Sequence, residues 1–209
     1  MAMKSNKLFR AWVIFFVVLA ASSPTLALEK GNLVRAKIGI EVVSNDTSRA
    51  AKTKDRIIAG TKLRIYVLPE KDSYVYIINS DQSNAVLLNP AKEENRITQG
   101  SLKIFPSTAH HYAIGETVKN EYFAIVCSPV KQEEVLDLFG PGTVPREKWL
   151  ALEQKLVKQG KIPLNEKLPK SFGVAGNIRS PKGEEFANAL HVFSGRELRI
   201  KRYEFNVKK

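Results

Sequence analysis

Three histidines, one cysteine and three pairs of adjacent carboxylates are the residues of this 209-residue chain with most to offer chemistry. His110 and His111 are neighbours, so on an extended strand their rings point to opposite faces. His191 is distant in sequence, and neither a Cys pair nor a His-x-x-x-His occurs. A metal site of the usual ligand spacing is therefore not expected. Cys127 lies in the apolar run EYFAIVCS, where a thiol reads as a small buried hydrophobe; a disulfide between chains and a nucleophile are the alternatives. A nucleophile needs an oriented base, nothing local to Cys127 supplies one, and the G-x-S-x-G elbow is absent. Glu93-Glu94, Glu133-Glu134 and Glu184-Glu185 sit in polar segments, where carboxylates are usually solvated. Gly140-Pro141-Gly142 reads as a helix break, and Gly173 to Gly176 has the wrong spacing for a dinucleotide loop. No catalytic residue, metal or cofactor is expected.

Two groups remain as candidates for contact. Arg196, Arg199, Lys201, Arg202, Lys208 and Lys209 crowd the C-terminus against Glu197 and Glu204, with Tyr203 and Phe205 interleaved. Charges of this kind on an edge strand block aggregation. Their functional reading is contact with an anionic partner, and Arg199, Lys201 and Arg202 are the candidates. Tyr74, Tyr76 and Tyr122 are candidate contact aromatics, although core packing is the preferred assignment for them.

The start of the chain bears on which partners it meets. Lys4, Lys7 and Arg10 precede the uncharged run AWVIFFVVLAA, and Thr25 and Ala27 offer small residues for cleavage. This is the three-part pattern of a secretory signal peptide. The run is too short for a span, which needs about 20 apolar residues. Residues 1–27 are thus expected to be removed, leaving a periplasmic or secreted protein of 182 residues (28–209) with no transmembrane span. The full chain carries +12, and the three cations of the leader leave +9 for the remainder. An excess of that size favours anionic partners or solubility and says nothing of fold. Export argues against nucleic acid. With one cysteine, stability must come from the core, and about 180 residues can bury enough apolar surface for it.

The elements that would hold these residues are mostly strands. Val34, Ala36, Ile38, Ile40 and Val42 share one parity while Arg35, Lys37 and Glu41 share the other, the period-two signal of a strand. Ser44 to Asp55 is polar and reads as a long mobile loop, with a glycosylation-type triplet at Asn45-Asp46-Thr47. KLRIYVLP, SYVYIINS, NAVLLNP, NRIT, SLKIFP and EYFAIVCS follow as short β-rich runs separated by turn residues, the pattern of a sandwich or barrel. The last has apolar residues on both parities, as a strand covered on both faces would. Beyond Pro129 the period changes. Val135, Leu136, Leu138 and Phe139 fit a short helix ended by Gly140. Pro145 opens a second helix, Trp149, Leu152 and Leu156 form its apolar stripe and Gly160 stops it. The stripe should pack on the sheet. Residues 161–196 read as loop. In the final run Leu198 and Ile200 share one parity and Tyr203, Phe205 and Val207 the other, which suggests a bulge near Lys201 or Arg202. The last strand should pair with the first or lie at a sheet edge.

Residues 57–128 resemble the bacterial family catalogued as domain of unknown function 4384. The motifs that carry the likeness are KLRIYVLPEKDSYVYIINSDQSNAVLLNP, NRITQGSLKIFP and GETVKNEYFAIVCSP. Here Asn89-Pro90 stands where Pro-Asn is commoner, and Leu88-Asn89 replaces an expected Phe. The resemblance implies an exported β-sandwich-like module, often joined to other parts in envelope proteins. It implies no activity and no catalytic residues. Within NPAKEENRITQGSLKIFPS (89–107), Asn95 should cap a turn, Gly100 should take a positive φ, Leu102 and Ile104 should face the core, and Pro106 should end pairing.

The expected fold is mainly β (α+β): an antiparallel β-sandwich-like domain with a helical elaboration at 131–160 and loop plus a final strand at 161–209. The expected function is a non-enzymatic binding or assembly module of the cell envelope, engaging an envelope protein. The alternatives are an electrostatic binder of anionic surface polymers or lipids, or an extracytoplasmic hydrolase or inhibitor, which would gather Cys127, a histidine and a carboxylate in one pocket.

Overall fold

The computed structural model describes residues 33–44, 47–90, 95–165, 168, 186 and 190–209. The leader, the triplet at Asn45 and Asp46, the carboxylates at 93–94 and 184–185, and the glycines at 173 and 176 lie outside them. The first elements are β1 (Leu33–Ser44), β2 (Thr47–Ala50), β3 (Asp55–Ile58), β4 (Lys62–Pro69), β5 (Ser73–Ser80), β6 (Asn84–Leu87) and β7 (Arg96–Ile97). Then come β8 (Lys103–Phe105), β9 (Tyr112–Ala113), β10 (Asn120–Ser128), α1 (Glu133–Phe139), β11 (Val144–Pro145), α2 (Arg146–Gln159), β12 (His191–Arg196) and β13 (Arg199–Lys208).

The strands form two sheets. One runs β12-β1-β4-β8, with β2 on β1 and β9 on β4; the other runs β11-β6-β5-β10-β13-β3, with β7 on β5. Among the described residues every strand pairing is antiparallel except β13 with β3. The even residues of β1, Val34 to Val42, meet Leu63, Ile65 and Val67 of β4, Ile77 of β5, Phe123 and Ile125 of β10 and Phe205 of β13 in the core between the sheets. Period-two alternation thus supplies one buried face per strand. The protein is a β-sandwich-like α+β domain.

A third layer lies on the second sheet. Tyr76, Ile78, Ala124 and Val126 point away from the inter-sheet core and pack with Val135, Phe139, Trp149 and Leu156 of the two helices. This is why β10 is apolar on both parities. The stripe of α2 packs on the sheet as its periodicity predicts. Its glycine stop has a different cause: Gly160 has φ −77°, outside the left-handed region. A Cβ there would lie 2.7 Å from the Leu198 carbonyl oxygen, so glycine is needed for close approach.

Several expectations change. The polar stretch from Ser44 to Asp55 is not a single loop: β2 folds back on β1, with Glu41 opposite Ala50. Residues 191–196 form β12, which pairs with β1. The last strand, β13, lies between β10 and β3 and is no edge. It carries no bulge at Lys201 or Arg202, since its register with β10 runs without a break from Asn206 opposite Asn120 to Arg199 opposite Cys127. The apparent parity switch has another origin: Leu198 and Ile200 belong to the helix side, Tyr203, Phe205 and Val207 to the inter-sheet side. Each face is apolar over a different half of the strand.

The 89–107 segment is also partly redrawn. Gly100 has φ 68°, as expected, and β8 ends at Phe105 before Pro106. Asn95 is buried and is no surface cap: Asn89 Nδ2 donates to its Oδ1 at 2.8 Å, and Asn89 also bonds the backbone of Val75 and Ile77. The Asn89 side chain, anchored on Asn95, thereby satisfies the stretch of β5 backbone between its pairings with β6 and β7. Phe105, not Leu102 or Ile104, enters the inter-sheet core. Leu102 and Ile104 pack with Tyr66 and Leu190 on the outer face of the first sheet.

Candidate binding surface around β13

The basic residues of β13 are divided by strand alternation. Arg202 faces α2. Its Nε donates to Glu153 Oε1 at 2.9 Å and its Nη2 to Oε2. The Glu153 side chain is 4% exposed while that of Arg202 is 46% exposed. A carboxylate so desolvated needs a partner, and the bidentate guanidinium provides one with fixed geometry.

Above this pair, α2 and β13 enclose an open groove of about 480 Å3, lined by Glu153, Gln154, Val157, Lys158, Ile200 and Arg202. Val157 is 53% exposed. The groove therefore has an apolar wall, a buried anion held by Arg202 at its base and a cation, Lys158, at its rim.

Arg199 and Lys201 take the other face. They share the parity of Tyr203 and Phe205, and both are half-buried. The Arg199 guanidinium lies 5.7 Å from the Phe193 ring centre; Lys201 Nζ lies 4.7 Å from that ring and 4.8 Å from the ring of Tyr203. Burial pulls both cations below their usual pKa values, and the Arg199 charge adds to the effect at Lys201.

The three tyrosines separate as well. Tyr76 is fully buried, and its hydroxyl accepts from the Gln132 backbone N–H at 2.9 Å, tying the start of α1 to β5. It is core and no contact residue. Tyr74 is half-buried against the helix layer. Tyr122 is half-buried with the Arg146 guanidinium 4.7 Å from its ring centre, and it lies opposite Glu204 of β13.

The remaining reactive groups lie elsewhere. Cys127 is enclosed between the sheets, and burial pushes its thiol up to about 11. His110 is exposed with Nδ1 2.8 Å from Ser107 Oγ. Burial lowers His111, and Arg64 and Lys62 lower it further. His191 is exposed at the start of β12. Among the described residues no three His, Cys, Asp or Glu gather as a metal would require, and no helix is long and apolar enough to cross a membrane.

Sequence reasoning missed three buried carboxylates. Glu41 accepts from the Tyr66 hydroxyl at 2.7 Å and stands 3.5 Å from Arg64. Glu121 accepts from Asn79 at 2.7 Å and from the Gly115 backbone N–H at 2.9 Å, and burial raises its pKa. Glu153 is the third. Its signal was available: on α2 it lies four residues after Trp149 and three before Leu156, on the stripe that packs inward.

Compared with known proteins, the chain matches no family model, no curated protein and no solved structure.

Proposed function

We propose that the chain is a non-enzymatic, exported binding or assembly module of the bacterial cell envelope, and that a partner protein docks in the groove between α2 and β13. The observation that carries this reading is the groove itself, with Val157 half exposed on an open wall. An exposed apolar side chain beside a buried ion pair and a polar rim is the layout of a protein interface. The signal-like leader supports export.

The test is cross-linking and capture of the tagged chain from its native envelope. A specific partner held at high salt by the native chain and lost by Val157→Asp is expected. Equal capture by both chains would contradict the groove as the site.

A second reading, an electrostatic binder of anionic surface groups, is favoured by one specific observation. Arg199 and Lys201 contact aromatic rings and no carboxylate among the described residues. Its mark is loss of binding with salt.

A further inference from the structure

Of the arginines with a buried Nε, Arg146 stacks on the Tyr122 ring, Arg35 reaches the carboxylate of Glu70 and Arg64 that of Glu41, as the more exposed Arg202 reaches that of Glu153. Arg199 reaches no carboxylate among the described residues. Its Nε is buried without a hydrogen-bond partner, as is that of Arg146, and among the described residues its ring contact is Phe193. Lys201 follows on the same face, about 7 Å along the strand by the usual rise per residue. Two like charges at that spacing, partly removed from water, repel each other. Two aromatic faces offset part of this, but rings cannot accept the in-plane N–H bonds of a guanidinium.

The surroundings say which end of each side chain is spoken for. In the register of β13 with β10, Arg199 lies opposite Cys127 and Lys201 opposite Ile125, so the stems continue the apolar row of the inter-sheet core. The heads reach Phe193, which sits on β12 opposite Ala36. The two cations therefore stand where the row ends, between the last two strands of the chain. A flat surface cannot engage a half-buried pair well. A single compact group that enters beside Phe193 can.

We propose that Arg199 and Lys201, with Phe193 and Tyr203 as their apolar backing, form a binding site for one phosphate group, free in solution or at the end of a flexible chain. This rests on the second reading above and narrows it from a basic surface to one site. The fork of Arg199 suits two phosphate oxygens, and Lys201 adds a point charge to a third. The low polarity of the backing strengthens both contacts. Charge supplied by the ligand cancels the repulsion that nothing in the described chain cancels.

The experiment is a titration of the full isotope-labelled chain with inorganic phosphate at constant ionic strength, read by NMR at the Arg199 side chain and the Phe193 and Lys201 amides. Saturable shifts centred there are expected. Arg199→Gln and Lys201→Gln should each weaken binding about tenfold, the scale of a lost charge-assisted bond, while Lys201→Arg retains most of it and Lys103→Gln, on the other sheet, changes nothing. Unchanged peak dispersion in each variant shows that the fold is intact. A parallel arm sediments the chain with phosphatidylglycerol vesicles. Vesicle retention without saturable phosphate binding, or equal weakening by Lys103→Gln and Arg199→Gln, overturns the site and leaves a diffuse electrostatic surface. Neither phosphate shifts nor vesicle retention overturns the site and the electrostatic reading together.

Discussion

On the helix side of β13, Arg202 meets a buried carboxylate and is held by two hydrogen bonds to Glu153. On the opposite side, the charged heads of Arg199 and Lys201 meet rings and, among the described residues, no carboxylate. The residues on both faces are cations of the same strand. What differs is the layer that covers each face. The helix layer brings its own acid, because Glu153 lies on the stripe that α2 buries. The β12 strand brings Phe193. A cation matched within the chain is structural; a cation left unmatched is available to something else.

The largest effect should come from removing the layer that makes the two faces different. Trp149→Ala deletes a fully buried side chain and should cost about 3–5 kcal/mol. Urea unfolding checks this. One cooperative transition is expected; two would mean that the helices form a unit apart from the sandwich.

Next, Arg202→Ala leaves Glu153 desolvated without its partner. A fully buried pair broken this way costs ~3–5 kcal/mol. Arg202 keeps close to half its surface in water, so about 2 kcal/mol is expected, by the same unfolding measurement.

Cys127 tests the other face. It lies opposite Arg199, and a hydrogen bond with Ser73 pulls its thiol down. Burial wins, and the thiol rises from 9.0 to about 11. A raised folded pKa gives stability that is full below pH 9 and is lost as pH rises through 11. The native chain should lose about 2 kcal/mol more than Cys127→Ala over that window. A thiol reagent should label Cys127 only on unfolding.

The smallest effect is expected at the unmatched cations. Replacing Arg199 and Lys201 together by Leu removes desolvation and repulsion but also the ring contacts. Stability should change by less than about 1 kcal/mol, in the stabilising direction. A loss as large as that of Arg202→Ala would show that the two faces are alike.

Much of this division was legible in the sequence. The alternation of β1, the doubly apolar β10 and the stripe of α2 are local signals, and each element stands where its period places it. The split of Arg199 and Lys201 from Arg202 follows from period two as well; it was hidden because the change of apolar parity in β13 imitates a bulge. Other features depend on partners distant in the chain. The parallel pairing of β13 with β3 joins Phe205 to Asp55, and Asn206 Nδ2 bonds the Lys54 carbonyl. Asn89 and Asn95 look like turn residues because they are polar and lie in a polar stretch, Asn89 directly before Pro90. Only the backbone of β5 explains their burial.

The central claim is that a partner protein docks on the helix side, in the groove, rather than on the cation side. The direct measurement places a photoreactive phenylalanine at Val157, at Lys201 or at Lys103, and illuminates each chain in its native envelope. The account predicts a discrete protein adduct from position 157 that persists at high salt, and none from 201 or 103. A protein adduct from 201 without one from 157, or no protein adduct from 157 at all, would contradict it.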